Sequence, residues 1–229
     1  GAEIVYLFTD LTPSPDTMVI VNCGGRTRSI IGAQALINAG FKNKIVSLMN
    51  GTQAWHLSGF EVLKGATRRP PPVSEKGLAA ALAAAARVKA QFDIRELDAD
   101  ALAAWRSEAR ERSLFVLDVR TPEEYEVGHL PGSCSAPGGQ FIQETDTFVG
   151  VWNSRVVLVD DNGVRAAMTA SWLLQMGWTD VAIHSFDPAG GDLQTGLYAP
   201  VVLGDDGSAP VIDAAELRQR LDANSAVVV

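Results

Sequence analysis

A repeat constrains this chain more than any other feature. Residues 18–43 lie on residues 155–180 without a gap, and the same features recur in the same order. Met18-Val19-Ile20-Val21 falls on Arg155-Val156-Val157-Leu158, two strand-like runs rich in β-branched residues. Arg28 falls on Arg165, Ala33 on Ala170, Leu36 on Leu173 and Gly40 on Gly177. Few identities are shared, but strand, loop, arginine, helix and glycine at one spacing mark a duplicated unit. Strands that alternate with helices predict an α/β fold. A second echo follows near the end. Asp213-Ala214-Ala215-Glu216-Leu217 resembles Asp98-Ala99-Asp100-Ala101-Leu102, and Val227-Val228-Val229 resembles the strand around Val116.

The repeat divides the chain. Residues 1–66 hold two apolar runs, Met18–Val21 and Ile45–Leu48, around a helix-like stretch from Ser29 to Ala39 capped by Gly40. Residues 67–91 form a linker. Arg69-Pro70-Pro71-Pro72 is stiff and extended, and the alanine-rich residues 75–91 form a connecting helix with little hydrophobic grip. Residues 92–203 read as one complete module. Asp98 caps a helix to Arg110, Leu114–Leu117 and Arg155–Val159 are buried strands, and Ala166–Met176 is a helix ended by Gly177. Residues 210–229 read as the start of a further module. The abrupt opening Gly1-Ala2-Glu3, without a visible secretory leader, predicts an excerpt of a longer protein whose other modules are its partners.

Composition narrows the function. The net charge of −8 disfavours nucleic acid as a partner, because phosphate binding needs a basic patch. No apolar run reaches the length of about 20 residues that a membrane helix needs, so no membrane partner is expected. Two cysteines, Cys23 and Cys134, are too few for a disulfide framework and predict free thiols in a reducing, cytoplasmic setting.

The chemistry concentrates in Cys23-Gly24-Gly25-Arg26-Thr27-Arg28-Ser29, between a strand and a helix. A thiol at the carboxyl edge of a strand sits where α/β folds place ligands. Two glycines let the backbone curl into a nest of N–H groups, the helix adds its positive end, and Arg26 and Arg28 add two cations. Each of these favours thiolate over thiol, so Cys23 is a candidate nucleophile. A second constellation runs from Asp118 to Gly132. Asp118 and Arg120 can pair, Thr121-Pro122 opens a short helix, Gly128 ends it, and Leu130-Pro131-Gly132 makes the next turn. Amid this punctuation His129 reads as structural rather than as a base, and Cys134 as packing.

The stretch Asp118–Gly132 resembles the amino-terminal motif of rhodanese domains. Cys23–Ser29 resembles the rhodanese active-site loop, a cysteine, four residues and an arginine. Asn50-Gly51-Thr52-Gln53-Ala54-Trp55 resembles the family's glycine-and-tryptophan segment. The resemblance implies tandem rhodanese modules, each a doubly wound α/β fold around a parallel sheet. It implies a sulfurtransferase of the thiosulfate type that needs no metal or organic cofactor. The Cys23 thiolate would attack the outer sulfur of thiosulfate and release sulfite. Residues Gly24, Gly25, Arg26, Thr27, Arg28 and Ser29 would hold the persulfide, and cyanide or a thiol would take the sulfur. Arg26 and Arg28 favour the dianion thiosulfate over 3-mercaptopyruvate, whose enzymes resemble a loop with small uncharged residues.

The complete module departs from the pattern. Asp160 stands where Cys23 does, although Arg165 remains, so this second site is degenerate. Asp160 and Asp161 would oppose a dianion, and Arg165 is expected to pair with Asp160 and close the cradle. Two other readings stand beside the sulfurtransferase. One is a non-catalytic rhodanese scaffold that docks partners, which suits the Asp160 module better than the Cys23 loop. The other is a phosphatase or arsenate reductase, whose similar loops have five residues between cysteine and arginine where this chain has four.

Overall fold

The short apolar runs become parallel strands and the stretches between them become helices in the computed structural model, which describes residues 1–12, 14–200 and 210–228. In chain order the elements are α1 (Ala2–Leu11), β1 (Val19–Val21), α2 (Thr27–Asn38), β2 (Ile45–Ser47), α3 (Gly51–Leu57), α4 (Glu75–Phe92), β3 (Arg95–Glu96), α5 (Ala99–Ser107), β4 (Leu114–Asp118), α6 (Pro122–Val127), β5 (Cys134–Ser135), α7 (Gly138–Gln143), α8 (Thr145–Phe148), β6 (Arg155–Asp160), α9 (Val164–Gln175), β7 (Val181–Ser185) and α10 (Ala214–Asp222). Gly1–Tyr198 form one unit and Ala199–Val229 a second.

Two parallel sheets lie in the first unit. The larger has the order β3-β7-β6-β4-β5. The period-2 alternation of its central strands feeds two cores. Leu117, Val156, Leu158 and Ile183 face one side, under α9, α1, α4 and α7. Val116, Val157, Val159 and Ala182 face the other, with Leu102 of α5 and Phe186. Helices on both faces make the sheet doubly wound, as the family resemblance implied, and explain why its strands are near-continuous apolar runs. The smaller sheet pairs β1 with β2 in the register Val19↔Ile45 to Val21↔Ser47. The shift that lays β1 on β6 also lays β2 on β7, so the repeat is structural as well as sequential.

Local signals place most ends. Asp98 caps α5 by accepting the Ala101 N–H at 2.8 Å, and Asp213 caps α10 by accepting that of Glu216 at 2.8 Å, so the second echo holds for the helices. It does not extend to the strand. Val227 and Val228 lie in no strand, and Val229 is outside the described residues. Helix α5 stops at Ser107, three residues before the expected Arg110. The alanine-rich helix α4 does more than connect. Its Ala81, Ala84, Ala85 and Val88 are buried against α1 and α9, because short side chains let helix backbones approach closely. Asp10 of α1 fastens its start by accepting the Ser74 amide at 2.9 Å and the Ser74 hydroxyl at 2.5 Å.

Candidate active site

The Cys23 loop leaves the carboxyl end of β1 and runs into the first turn of α2. Its shape is imposed from outside by α3. Thr52 donates its amide to the Cys23 carbonyl at 3.0 Å, and Gln53 donates to the Gly24 carbonyl at 3.0 Å. A trans peptide holds its C=O and N–H antiparallel, so the Gly24 and Gly25 amides face away from α3. This close approach needs Gly51. Its φ is +58°, and a Cβ there would run into the carbonyl oxygens of Cys23 and Gly25.

Cys23 is half-buried. Its Sγ lies 3.5 Å from the Ser29 hydroxyl, which itself donates to the Arg26 carbonyl at 2.9 Å. Burial pushes the thiol pKa up. Hydrogen bonding with the Ser29 hydroxyl and from the Ser29 and Gly25 amides, together with the Arg28 charge, outweighs that and holds it below the ordinary thiol value. Gly24, Arg26, Thr27 and Arg28 are exposed, Gly25 is half-exposed and Ser29 is buried. Neither Arg26 nor Arg28 forms an ion pair among the described residues. The result is a partly accessible, anion-favouring thiol with two uncommitted cations beside it.

The equivalent loop after β6 is built alike and filled differently. Asp160 is fully buried. Its Oδ1 accepts the Gly163 amide at 2.6 Å and its Oδ2 accepts the Ala166 amide at 3.0 Å. Ala166 falls on Ser29 in the repeat, so one backbone donor serves the thiol in one loop and a carboxylate in the other. Burial raises the Asp160 pKa against the pull of these amides and of Arg165. Arg165 does not bond Asp160, contrary to expectation. Its guanidinium binds both Glu124 oxygens at 2.7 and 3.0 Å, Asp161 at 2.9 Å and Glu3 of α1 at 3.3 Å, and it lies over the Tyr6 ring at 4.6 Å. The two amides already satisfy Asp160, which leaves Arg165 to the carboxylates that α1 and α6 bring over the loop.

The stretch 118–132 is tied together by bonds within itself. Arg120 grips the Asp118 carboxylate with Nε at 3.0 Å and a terminal nitrogen at 2.6 Å, and donates to the Gly128 carbonyl at 2.6 Å. Thr121 and Glu124 form a reciprocal capping box at the start of α6. His129 is buried, with Nδ1 2.7 Å from the Tyr125 carbonyl and its ring stacked on Tyr125 at 3.6 Å. Cys134 lies half-buried on β5. Among the described residues no group of three or more His, Cys, Asp or Glu is placed to hold a metal ion, and no helix is long and apolar enough to cross a membrane.

The model of the rhodanese-like domain matches residues 98–185. A solved structure, the thiosulfate sulfurtransferase from Pseudomonas aeruginosa, is 47% identical over 97% of this chain, with a TM-score of 0.81. The chain belongs to the rhodanese-like family. It spans 42% of the length of that Pseudomonas protein. A rhodanese with anions from E. coli is 22% identical over 37% of this chain and all of its own, with a TM-score of 0.32. A protein of unknown function from Rhodopseudomonas palustris, described as a possible tyrosine phosphatase, is 23% identical over 54% of this chain and 98% of its own, with a TM-score of 0.39. No curated protein matches the chain. One strand-loop-helix unit thus occurs here in two forms, one around Cys23 and one around Asp160. Sequence reasoning missed Glu124 and Glu3 as partners of Arg165. The capping box flagged Glu124 only as a helix residue, and no local signal ties Glu3 to the site.

Proposed function

We propose that the chain carries the catalytic loop of a thiosulfate sulfurtransferase that works through a Cys23 persulfide. The carrying observation is the position of Cys23, with Ser29 at 3.5 Å, the Gly25 and Ser29 amides turned on it and Arg28 close enough to lower its pKa. The likeness to the Pseudomonas thiosulfate sulfurtransferase supports the same reading. The thiolate attacks the outer sulfur of thiosulfate, a new S–S bond forms and sulfite leaves with the electron pair of the old one. The anionic persulfide rests on the loop amides, with Arg26 and Arg28 offsetting its charge. Cyanide or a thiol then attacks the outer sulfur and returns Cys23 to thiolate. No residue of this route calls for a metal or organic cofactor.

The module at 92–203 is a non-catalytic companion on this reading, because its cradle already holds the Asp160 carboxylate. Neighbouring modules of a longer chain and a cytoplasmic setting complete the proposal. Intact mass after thiosulfate treatment tests it. One added sulfur atom is expected, mapped to the Cys23 peptide, and Cys23→Ser abolishes both that sulfur and thiocyanate formation. Normal turnover by Cys23→Ser would sink the assignment.

A further inference from the structure

The repeat runs on without a gap to the first residue. Gly1-Ala2-Glu3-Ile4-Val5 falls on Gly138-Gly139-Gln140-Phe141-Ile142, and α1 lies on α7 and α8. The two copies part at an aromatic contact. In the first, Phe8 of α1 packs on Phe41 with ring centroids 4.2 Å apart, and Phe8 is only 2% exposed. In the second, Trp178 takes the place of Phe41, but Thr145 takes the place of Phe8 and has no ring to set against it. A cavity of about 480 Å³ lies there instead, lined by Thr145, Val149, Trp152, Met176 and Trp178 together with the exposed Asp146. Trp152 leans on Trp178 at 4.7 Å yet remains 62% exposed. Val151 and Met176 are also exposed, so apolar surface continues past the cavity. Asp146 forms no ion pair among the described residues. Trp152 and Trp178 precede β6 and β7, at the other end of those strands from Asp160.

We propose that this cavity docks a partner polypeptide through an aromatic side chain with a basic residue beside it. The first copy supplies the argument for the occupant, since there a ring from the same chain fills the equivalent place on Phe41. A ring set among Trp152 and Trp178 buries apolar surface on both partners. Asp146 and the net charge of −8 attract the basic neighbour. The exposed rim of Val151, Trp152 and Met176 gives the residues on either side of the ring a surface to lie on, which a free aromatic molecule would leave uncovered. The segment without a nucleophile thereby has a task of its own. None of these residues belongs to the Cys23 loop, so the docking site stands apart from the persulfide reading.

Three probes titrated into the full chain test this: acetyl-Lys-Phe-Lys-amide, acetyl-Lys-Ala-Lys-amide and phenethylamine. Binding is read from the indole N–H resonances of Trp152 and Trp178, the first assigned by its loss in Trp152→Phe. The phenylalanine peptide is expected to bind at least about tenfold more tightly than either other probe, the scale of one buried aromatic contact. Thr145→Phe, which installs the ring of the first copy, is expected to weaken that peptide about tenfold or more. Trp152→Ala, at an exposed position, is the second variant should Thr145→Phe fail to fold, and the same weakening is expected on the Trp178 resonance. Equal binding of the two peptides, or undiminished binding by Trp152→Ala, would overturn the docking site. Phenethylamine binding as tightly as the phenylalanine peptide would overturn the polypeptide partner. Sulfur loading at Cys23 is expected to stay the same in every variant, and its failure in the unsubstituted protein counts against the persulfide reading alone.

Discussion

Cys23 and Asp160 hold the same position in two copies of one loop, and the side chain alone decides what the shared backbone amide does. Beside Cys23 the amides favour the thiolate of a half-exposed side chain. At Asp160 they are consumed by a buried carboxylate. The lowered pKa of Cys23 sets a pH dependence with a definite sign. Thiolate persists below the ordinary thiol range and is lost as pH falls through the lowered value. Alkylation of Cys23 by iodoacetamide is therefore expected to inflect below the ordinary thiol pKa. Ser29→Ala removes the hydroxyl bond and is expected to move that inflection upward. An inflection unmoved by Ser29→Ala would take the hydroxyl out of the activation. The candidate nucleophile was readable because the groups that lower its pKa, Ser29, the Gly25 amide and Arg28, all lie within seven consecutive residues.

Among the elements, α3 shapes the site from outside. It contributes no side chain to the thiol, yet its first amides hold the Cys23 and Gly24 carbonyls and so turn the following N–H groups the other way. Gly51→Ala is expected to lower stability by about 1–3 kcal/mol through positive φ and crowding of the loop carbonyls. It should cut sulfur loading by a larger factor than it changes the urea midpoint accounts for. Loading in full at an unchanged midpoint would show that the loop needs no support from α3. The sequence marked Asn50–Trp55 through family likeness alone, because nothing in those residues names the carbonyls their backbone will meet. The alanine-rich helix α4 shows the same limit. Its propensity was legible, but its burial depended on α1 and α9 lying against it.

At the scale of the Gly1–Tyr198 unit, α1 packs across α9 and places Glu3 and Tyr6 on Arg165. The Asp160 loop is thus closed twice, by the Asp160 carboxylate within and by carboxylates gathered around its arginine. Asp160→Cys is accordingly expected to stay free of sulfur after thiosulfate treatment, measured on the peptide that spans β6 and the start of α9. Sulfur at Cys in that variant would show that only the nucleophile had been lost. Arg165→Met is expected to destabilise the protein by about 3 kcal/mol in urea unfolding, since it strands Glu124 and Asp161 without their cation. A shift near zero would mean that water replaces the arginine without loss.

The apolar runs that became β1, β2, β4 and β6, the Asp98 and Thr121 caps, the duplicated strand-loop-helix unit and the exchange of Cys23 for Asp160 could be read from the residues alone. They rest on neighbours in the chain: β-branched runs, caps one turn away, glycine after a helix and a loop of fixed length. The partners of Arg165 could not. Glu124 lies 41 positions from it and Glu3 lies 162. Both arrive because apolar faces of α1 and the sheet helices bury against one another, and that driving force is non-directional. Hydrophobic burial brings distant carboxylates together without leaving a local pattern, so the closure of the Asp160 cradle exists only once the chain has folded.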